Sequence, residues 1–254
     1  MPIDLNADLG EGGADDVAML DYVSSINIAC AWHAGSAGEM LALVTAARER
    51  GVAIGAHPGY ADREHFGRRE MQLPPASIRS AILYQVGALE GIARAQGARL
   101  SHVKPHGALY NQAARDPALA ACIARAVRDF DPALQLVGLA RSALVEAARA
   151  EGLAAIEEGF ADRGYAANGH LVPRGEPGAL LEDEPAMLEQ AVRMVKEGRV
   201  RSRDGSEHAL HVDTLCLHGD GRHALSFARG LRARLEREGV RIGPAVGAGK
   251  DRGR

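Results

Sequence analysis

A single parallel barrel of alternating strands and helices is the fold this chain predicts, on three observations. Seven short apolar runs recur along it, each entering a turn and most followed by an alanine-rich helical pattern. The helical stretches stop repeatedly at glycine, as at Gly51, Gly97, Gly152, Gly198 and Gly239, the usual punctuation of a helix C-terminus. A length of 254 residues suits one barrel or one doubly wound domain, and 46% hydrophobic with only 4% aromatic residues implies a core of Ala, Leu, Val and Ile. One parallel sheet with right-handed crossovers places every strand end on one rim.

The runs are IDLNAD from Ile3, SINIACAW from Ser25, VAIGAH from Val52, LSHVKPH from Leu100, LQLVGLA from Leu134, LAAIEEGF from Leu153 and VDTLCLHGD from Val212. Helical patterns cover 38–50, 75–96, 117–129, 142–151, 184–197 and 224–238. Two long interruptions, 57–74 and 160–183, belong at the rim, where loops carry function. Residues 200–211 read as a polar hairpin or connection. The domain is expected to span 1–242, with 243–254, rich in glycine and basic residues, a disordered tail.

A formal net charge of −3 argues against a general nucleic-acid or membrane-surface binder. Asp4 and Asn6 follow the start at once and no apolar run approaches a membrane span, so a cytosolic protein without a signal peptide is expected. Cys30, Cys122 and Cys216 are odd in number and never form a CxxC pair, which excludes a disulfide framework and a thiolate zinc site. The chain also lacks a GxxxxGK[ST] phosphate loop, a GxGxxG turn after a strand and a GxSxG elbow.

Chemically capable residues gather where the runs end. The densest group is His102, Lys104 and His106: two-residue spacing on a strand puts all three on one face, and Pro105 with Gly107 ends the strand there. Two imidazoles and an ammonium are poor core filling unless paired or liganded. The first run supplies Asn6 and Asp8, then Glu11. His33 and His57 close the second and third runs, Glu158 leads into Asp162 and Arg163, and His218 and Asp220 close the last. Individually Asp8 could be a turn cap, Asp162 and Arg163 a surface ion pair, and any one histidine structural; jointly they read as a barrel active site. Asp8, His57 and either His102 or His106 would offer an oxygen and two imidazoles from separate strands, a set that suits a divalent ion and leaves positions open for water.

The stretches DLNADLGEG, NIACAWHAG, GVAIGAHPGY, FGRR, HVKPHGALYNQ, FADRGY, LVPR and CLHGD resemble, in the same order, the LamB/YcsF lactam-utilisation family, understood as the A component of 5-oxoprolinase. The resemblance runs over residues 3–242. It implies a seven-stranded (β/α) barrel resembling the polysaccharide-deacetylase and YdjC-like folds, and ATP-dependent cleavage of 5-oxoproline to L-glutamate with partner subunits B and C. In YdjC-like enzymes an Asn-Ala-Asp-Asp start binds metal; Asn6-Ala7-Asp8 is similar, with Leu9 in place of the second acid. Other departures are a shorter loop after Gly12, Ala31-Trp32 where Gly-Phe is common, and Ser36 where Asp is common.

Under that resemblance, ATP is a co-substrate of the complex, and phosphorylating the lactam oxygen turns an unreactive amide into an imidate-like electrophile. Catalytic work is expected of Asp8, Glu11, Lys104, His106 and Asp162. Substrate binding is expected of Asn6, His33, His57, His102, Glu158, Arg163, Tyr165, His218 and Asp220, and a metal, if bound, of Asp8, His57 and His106. Lys104, Arg163 and Arg68 or Arg69 are the expected anion holders, with Lys104 contributing to chemistry more than to packing. The alternatives are a metal-dependent amidosugar deacetylase and a non-catalytic lactam-binding or regulatory subunit.

Overall fold

A computed structural model describes residues 2–173, 175–181, 183–218 and 224–245. Seven strands, β1 (Asp4–Leu9), β2 (Ser25–Ala29), β3 (Ala53–His57), β4 (His102–Val103), β5 (Gln135–Leu139), β6 (Ala154–Phe160) and β9 (Thr214–His218), close into one all-parallel barrel in that order, with β9 returning to β1. The helices are α1 (Asp16–Met19), α2 (Ala37–Arg50), α3 (Pro75–Ala95), α4 (Gly107–Ala113), α5 (Pro117–Phe130), α6 (Ala143–Ala150), α7 (Glu184–Glu197) and α8 (Ala224–Arg237). The polar stretch before β9 is an antiparallel hairpin of β7 (Arg199–Arg201) and β8 (Glu207–Ala209). None of the described helices is long and apolar enough to cross a membrane.

Local chemistry starts and stops these elements. Ser36, Asp116, Ser142 and Asp183 cap α2, α5, α6 and α7 by accepting backbone N–H groups. Ser36 therefore performs the capping that an Asp would perform there. Gly51 and Gly198 close α2 and α7 in the left-handed region. Ala31 also sits there, at φ 67, where a glycine would carry no steric cost. Its neighbour Trp32 packs on Tyr84, ring centres 5.5 Å apart.

Strand alternation divides the barrel into two chemistries. Outward residues such as Leu5, Ala7, Leu9, Ile26, Ile28, Ile54, Val103, Leu136, Leu215 and Leu217 join the helices in one continuous apolar core. The inward face is largely polar: Asp4, Asn6 and Asp8 on β1, Ser25 and Asn27 on β2, His57 on β3, His102 on β4, Glu158 on β6, Thr214 on β9. Barrels of this kind are usually filled with branched aliphatic side chains. Here burial of polar groups has to be satisfied by hydrogen bonds among them.

The fourth run differs from expectation. Its ladder is only two residues long, because Pro105 lacks a donor and the chain turns into α4, which the sequence pattern does not reveal. Lys104 N–H still reaches Ala56 O and His106 N–H reaches Pro58 O, both at 2.9 Å, so the segment stays docked beside β3. At the C-terminal end, Gly243 N–H bonds Ile3 O at 3.0 Å and Ala245 O accepts from Gln135 Nε2. Residues 246–254 of the expected tail lie outside the described residues.

Candidate active site

The carboxyl ends of the strands surround a cavity of about 740 Å³, lined among others by Asp8, Glu11, His57, Lys104, His106, Tyr110, Phe160, Asn168 and His170. The register of β1 against β2 and β9 brings Asp8 level with Asn27 and His218. Asn27 Nδ2 donates to Asp8 Oδ1 (2.8 Å), and Lys104 Nζ reaches the same oxygen (2.9 Å). Lys104 also donates to Asn6 Oδ1 (3.2 Å) and Cys216 Sγ (3.2 Å) and lies 2.7 Å from Glu158 Oε1. Tyr110 OH donates to Glu158 Oε2 at 2.6 Å.

This geometry revises the expected part of Lys104. Its ammonium is buried and its protons are committed to protein acceptors, so it holds Asp8 and Glu158 rather than a substrate anion. Burial would lower its pKa, but Asp8, Cys216 and Glu158 outweigh that and keep it charged well above the ordinary lysine range. A buried ion pair of this type is also part of the packing.

Four residues meet beside Asp8. Glu11 Oε1 lies 3.0 Å from His33 Nε2, 3.1 Å from His106 Nδ1 and 3.6 Å from His57 Nε2; His57 Nε2 is 3.4 Å from Asp8 Oδ2 and 3.0 Å from His106 Nδ1. All four donor atoms of Glu11, His33, His57 and His106 fall within 4.8 Å of one another. Burial alone would lift the Glu11 carboxyl, but the imidazoles of His106, His33 and His57 around it hold it well below the usual carboxylate range. His33 is pushed down to about 4, by burial first. For His57, burial works downward and is outweighed by the charge of Asp8, so its pKa rises.

The expected residues therefore separate. Asp8, Glu11, His57, Lys104 and His106 line the cavity, with His33 behind them stacked on His106. His102 faces the opposite way, into a second cavity of about 390 Å³ at the amino-terminal foot of the barrel. Its Nε2 meets Asn27 Oδ1 (2.8 Å) and its Nδ1 meets Ser101 Oγ (2.7 Å); burial pushes it down to about 3, and it is neutral. Asn6 lies between the cavities, bonded to Glu158 and Thr214. Three residues of one run thus stand at three heights of the barrel axis.

Arg163 lines the cavity wall, yet its Nε and Nη2 donate to Ala179 O (3.0 Å) and Val172 O (2.7 Å), pinning the 160–183 loop. Tyr165 OH accepts from Phe160 N–H (3.0 Å), a structural contact. Asp162 lies outside the cavity lining, its carbonyl accepting from Leu181 N–H. Arg68 lines the mouth with its guanidinium 4.9 Å from the Phe66 ring centre, while Arg69 lies 3.5 Å from Asp62. His218 is the last residue of β9, and Asp220 lies outside the described residues. Asn27 and Tyr110 are the additions: Asn27 shares the inward parity of Ser25, and Tyr110 follows His106 by four residues on α4.

The model of the LamB/YcsF family matches residues 3–249. A solved lactam utilization protein from Thermus thermophilus is 45% identical, covers 96% of this chain and 99% of its own, and superposes at a TM-score of 0.89. The catalytic domain of a peptidoglycan N-acetylglucosamine deacetylase from Eubacterium rectale is 12% identical over 96% of this chain and 88% of its own; its TM-score of 0.51 marks a shared fold alone. Because the match runs nearly end to end and includes the strand ends that build the cavity, this chain belongs to the LamB/YcsF family.

Proposed function

We propose that this chain is the ring-opening subunit of an ATP-dependent 5-oxoprolinase, acting in the cytosol with partner subunits B and C. The observation that carries the reading is the cavity floor: a buried Lys104 aims an Asp8 carboxylate toward His57 at the mouth of a barrel whose relative is a lactam utilization protein. A five-membered lactam fits easily in about 740 Å³. Once ATP has activated the lactam oxygen, water must add to the carbonyl carbon and lose a proton. Asp8, fixed by Lys104 and Asn27, takes that proton, and His57 beside it relays it to the departing ring nitrogen, leaving an acyl phosphate that a second water cleaves to glutamate and inorganic phosphate. Arg68 and Arg115 bring positive charge to the mouth, where a carboxylate or phosphate enters.

Reconstitution with subunits B and C tests the assignment by ATP-coupled glutamate release. The complex is expected to turn over and the single chain to stay inactive. Ring opening by the chain alone without ATP would make it an ordinary amidohydrolase, and release of acetate from N-acetylglucosamine oligomers would make it a deacetylase.

A further inference from the structure

Backbone carbonyls only accept hydrogen bonds, so His57 Nδ1 and His106 Nε2, which face Lys104 O at 2.7 Å and Phe66 O at 2.8 Å, carry the ring protons. In the neutral rings the opposite nitrogens, His57 Nε2 and His106 Nδ1, then turn lone pairs toward each other across 3.0 Å, with ring planes at 88°. Facing lone pairs need a cation between them. The charges around them agree: among the described residues the floor holds three carboxylates, Asp8, Glu11 and Glu158, against the single ammonium of Lys104. Carbonyls that lock the far nitrogen of each imidazole are also the common outer support of histidine metal ligands.

We propose that His57 Nε2, His106 Nδ1, Glu11 and Asp8 bind a divalent transition ion of the zinc class, with His33 outside the coordination as the residue that positions Glu11. Glu11, His57 and His106 stand 3.0, 3.1 and 3.6 Å apart and Asp8 joins them through His57 at 3.4 Å, separations that bracket the edge of about 3.3 Å of a tetrahedron with zinc-type bonds of about 2.0–2.1 Å. Two imidazoles and two carboxylates suit zinc, manganese or iron better than calcium or magnesium. All four proposed ligands line the cavity, and His33 does not.

His33 is excluded by its ring. It stacks on His106 with centres 3.7 Å apart and planes 3° from parallel, so an ion in the plane of the His106 lone pair lies off the plane of His33. Its Nε2 faces Glu11 and its buried Nδ1 has no hydrogen-bond partner, which assigns the proton to Nε2. Glycines hold the ring in place: a Cβ at Gly59 would stand 2.7 Å from His33 Nδ1 and one at Gly67 2.8 Å from His33 Cβ.

The ion would supply a Lewis acid at the cavity floor, and with it bound Asp8 and His57 would ligate it in place of the proton transfer they perform in the metal-free site. Its binding does not rest on the lactam reading and is measured without turnover. Protein purified free of chelator is analysed for metal, then stripped and titrated with Zn²⁺ by calorimetry and with Co²⁺ by its visible absorption. Wild type is expected to take up about one ion per chain. His57→Ala and His106→Ala should lose that uptake, with circular dichroism confirming the fold. His33→Gln should keep the stoichiometry and the Co²⁺ spectrum while binding about 10–100-fold more weakly, as for other outer-shell changes. Absence of uptake by wild type would overturn the site and leave a shared proton between His57 and His106. Loss of the ion in His33→Gln as complete as in His57→Ala would make His33 a ligand and overturn the assignment.

Discussion

The two ends of the barrel axis each hold a carboxylate from the same face of β1, buried at the foot and half-buried at the mouth, and they treat it in opposite ways. At the foot, Asp4 accepts only from hydroxyls: Ser24 (2.5 Å), Thr214 (2.6 Å) and Ser25 (2.8 Å). At the mouth, Asp8 is held by the ammonium of Lys104 and the amide of Asn27 and faces the imidazole of His57. The histidines repeat the contrast. His102 at the foot has both nitrogens on neutral partners, while His57 at the mouth turns Nε2 toward carboxylates. A neutral donor satisfies a buried acid; a cation or second titratable group prepares it to exchange a proton. Polar side chains alone therefore do not mark the site, and their partners do.

That contrast breaks most sharply at Asp8. Asp8→Asn removes the proton acceptor while preserving volume, and glutamate release by the reconstituted complex should fall by about 10²–10⁴-fold. Near-normal turnover would put the base elsewhere. Next comes Lys104→Met, which leaves the buried Glu158 and the half-buried Asp8 without their cation and should cost about 3–5 kcal/mol of unfolding free energy in urea. An unchanged urea midpoint would show that Lys104 is not part of the packing.

The smallest effect belongs to the foot. Asp4→Asn leaves hydroxyls without a full acceptor and should cost about 1–3 kcal/mol, with turnover unchanged. Its pH dependence is the sharper readout. Burial first raises Asp4 above its ordinary 3.8, against the hydroxyl hydrogen bonds. The folded state thus holds the proton more tightly than the unfolded chain. This contribution is complete below 3.8 and is lost as pH rises through the raised folded value. Urea midpoints of wild type and Asp4→Asn across the acid range should lose that slope in the variant; identical slopes would remove Asp4 as its source.

Much of the fold was legible because it is local. Short apolar runs marked all seven barrel strands, and alanine-rich patterns that often stop at glycine marked six helices. The fourth strand was overextended, since HVKPH has strand parity whether or not its donors pair, and α4 was hidden behind a proline and a glycine. At the site, Asp8, His57, Lys104 and His106 were visible as strand-end residues. Asn27 and Tyr110 were not, because an amide inside an apolar run and a tyrosine on a helix gain their role only across the barrel. Arg163 and Tyr165 were read toward substrate, yet the backbone of the 160–183 loop uses them as partners.

The chain by itself determined which side chains face inward, since period-two alternation is a property of one extended strand. It equally determined that chemically capable residues crowd the strand ends. Only the closed barrel decided their height and company. Strand register sent His102 toward the foot and His106 to the mouth, turned Lys104 from a substrate anchor into the counter-ion of two carboxylates, and set His33 against His106 rather than beside it. Those relations depend on stagger between strands distant in sequence, on which the alternation within any single strand is silent.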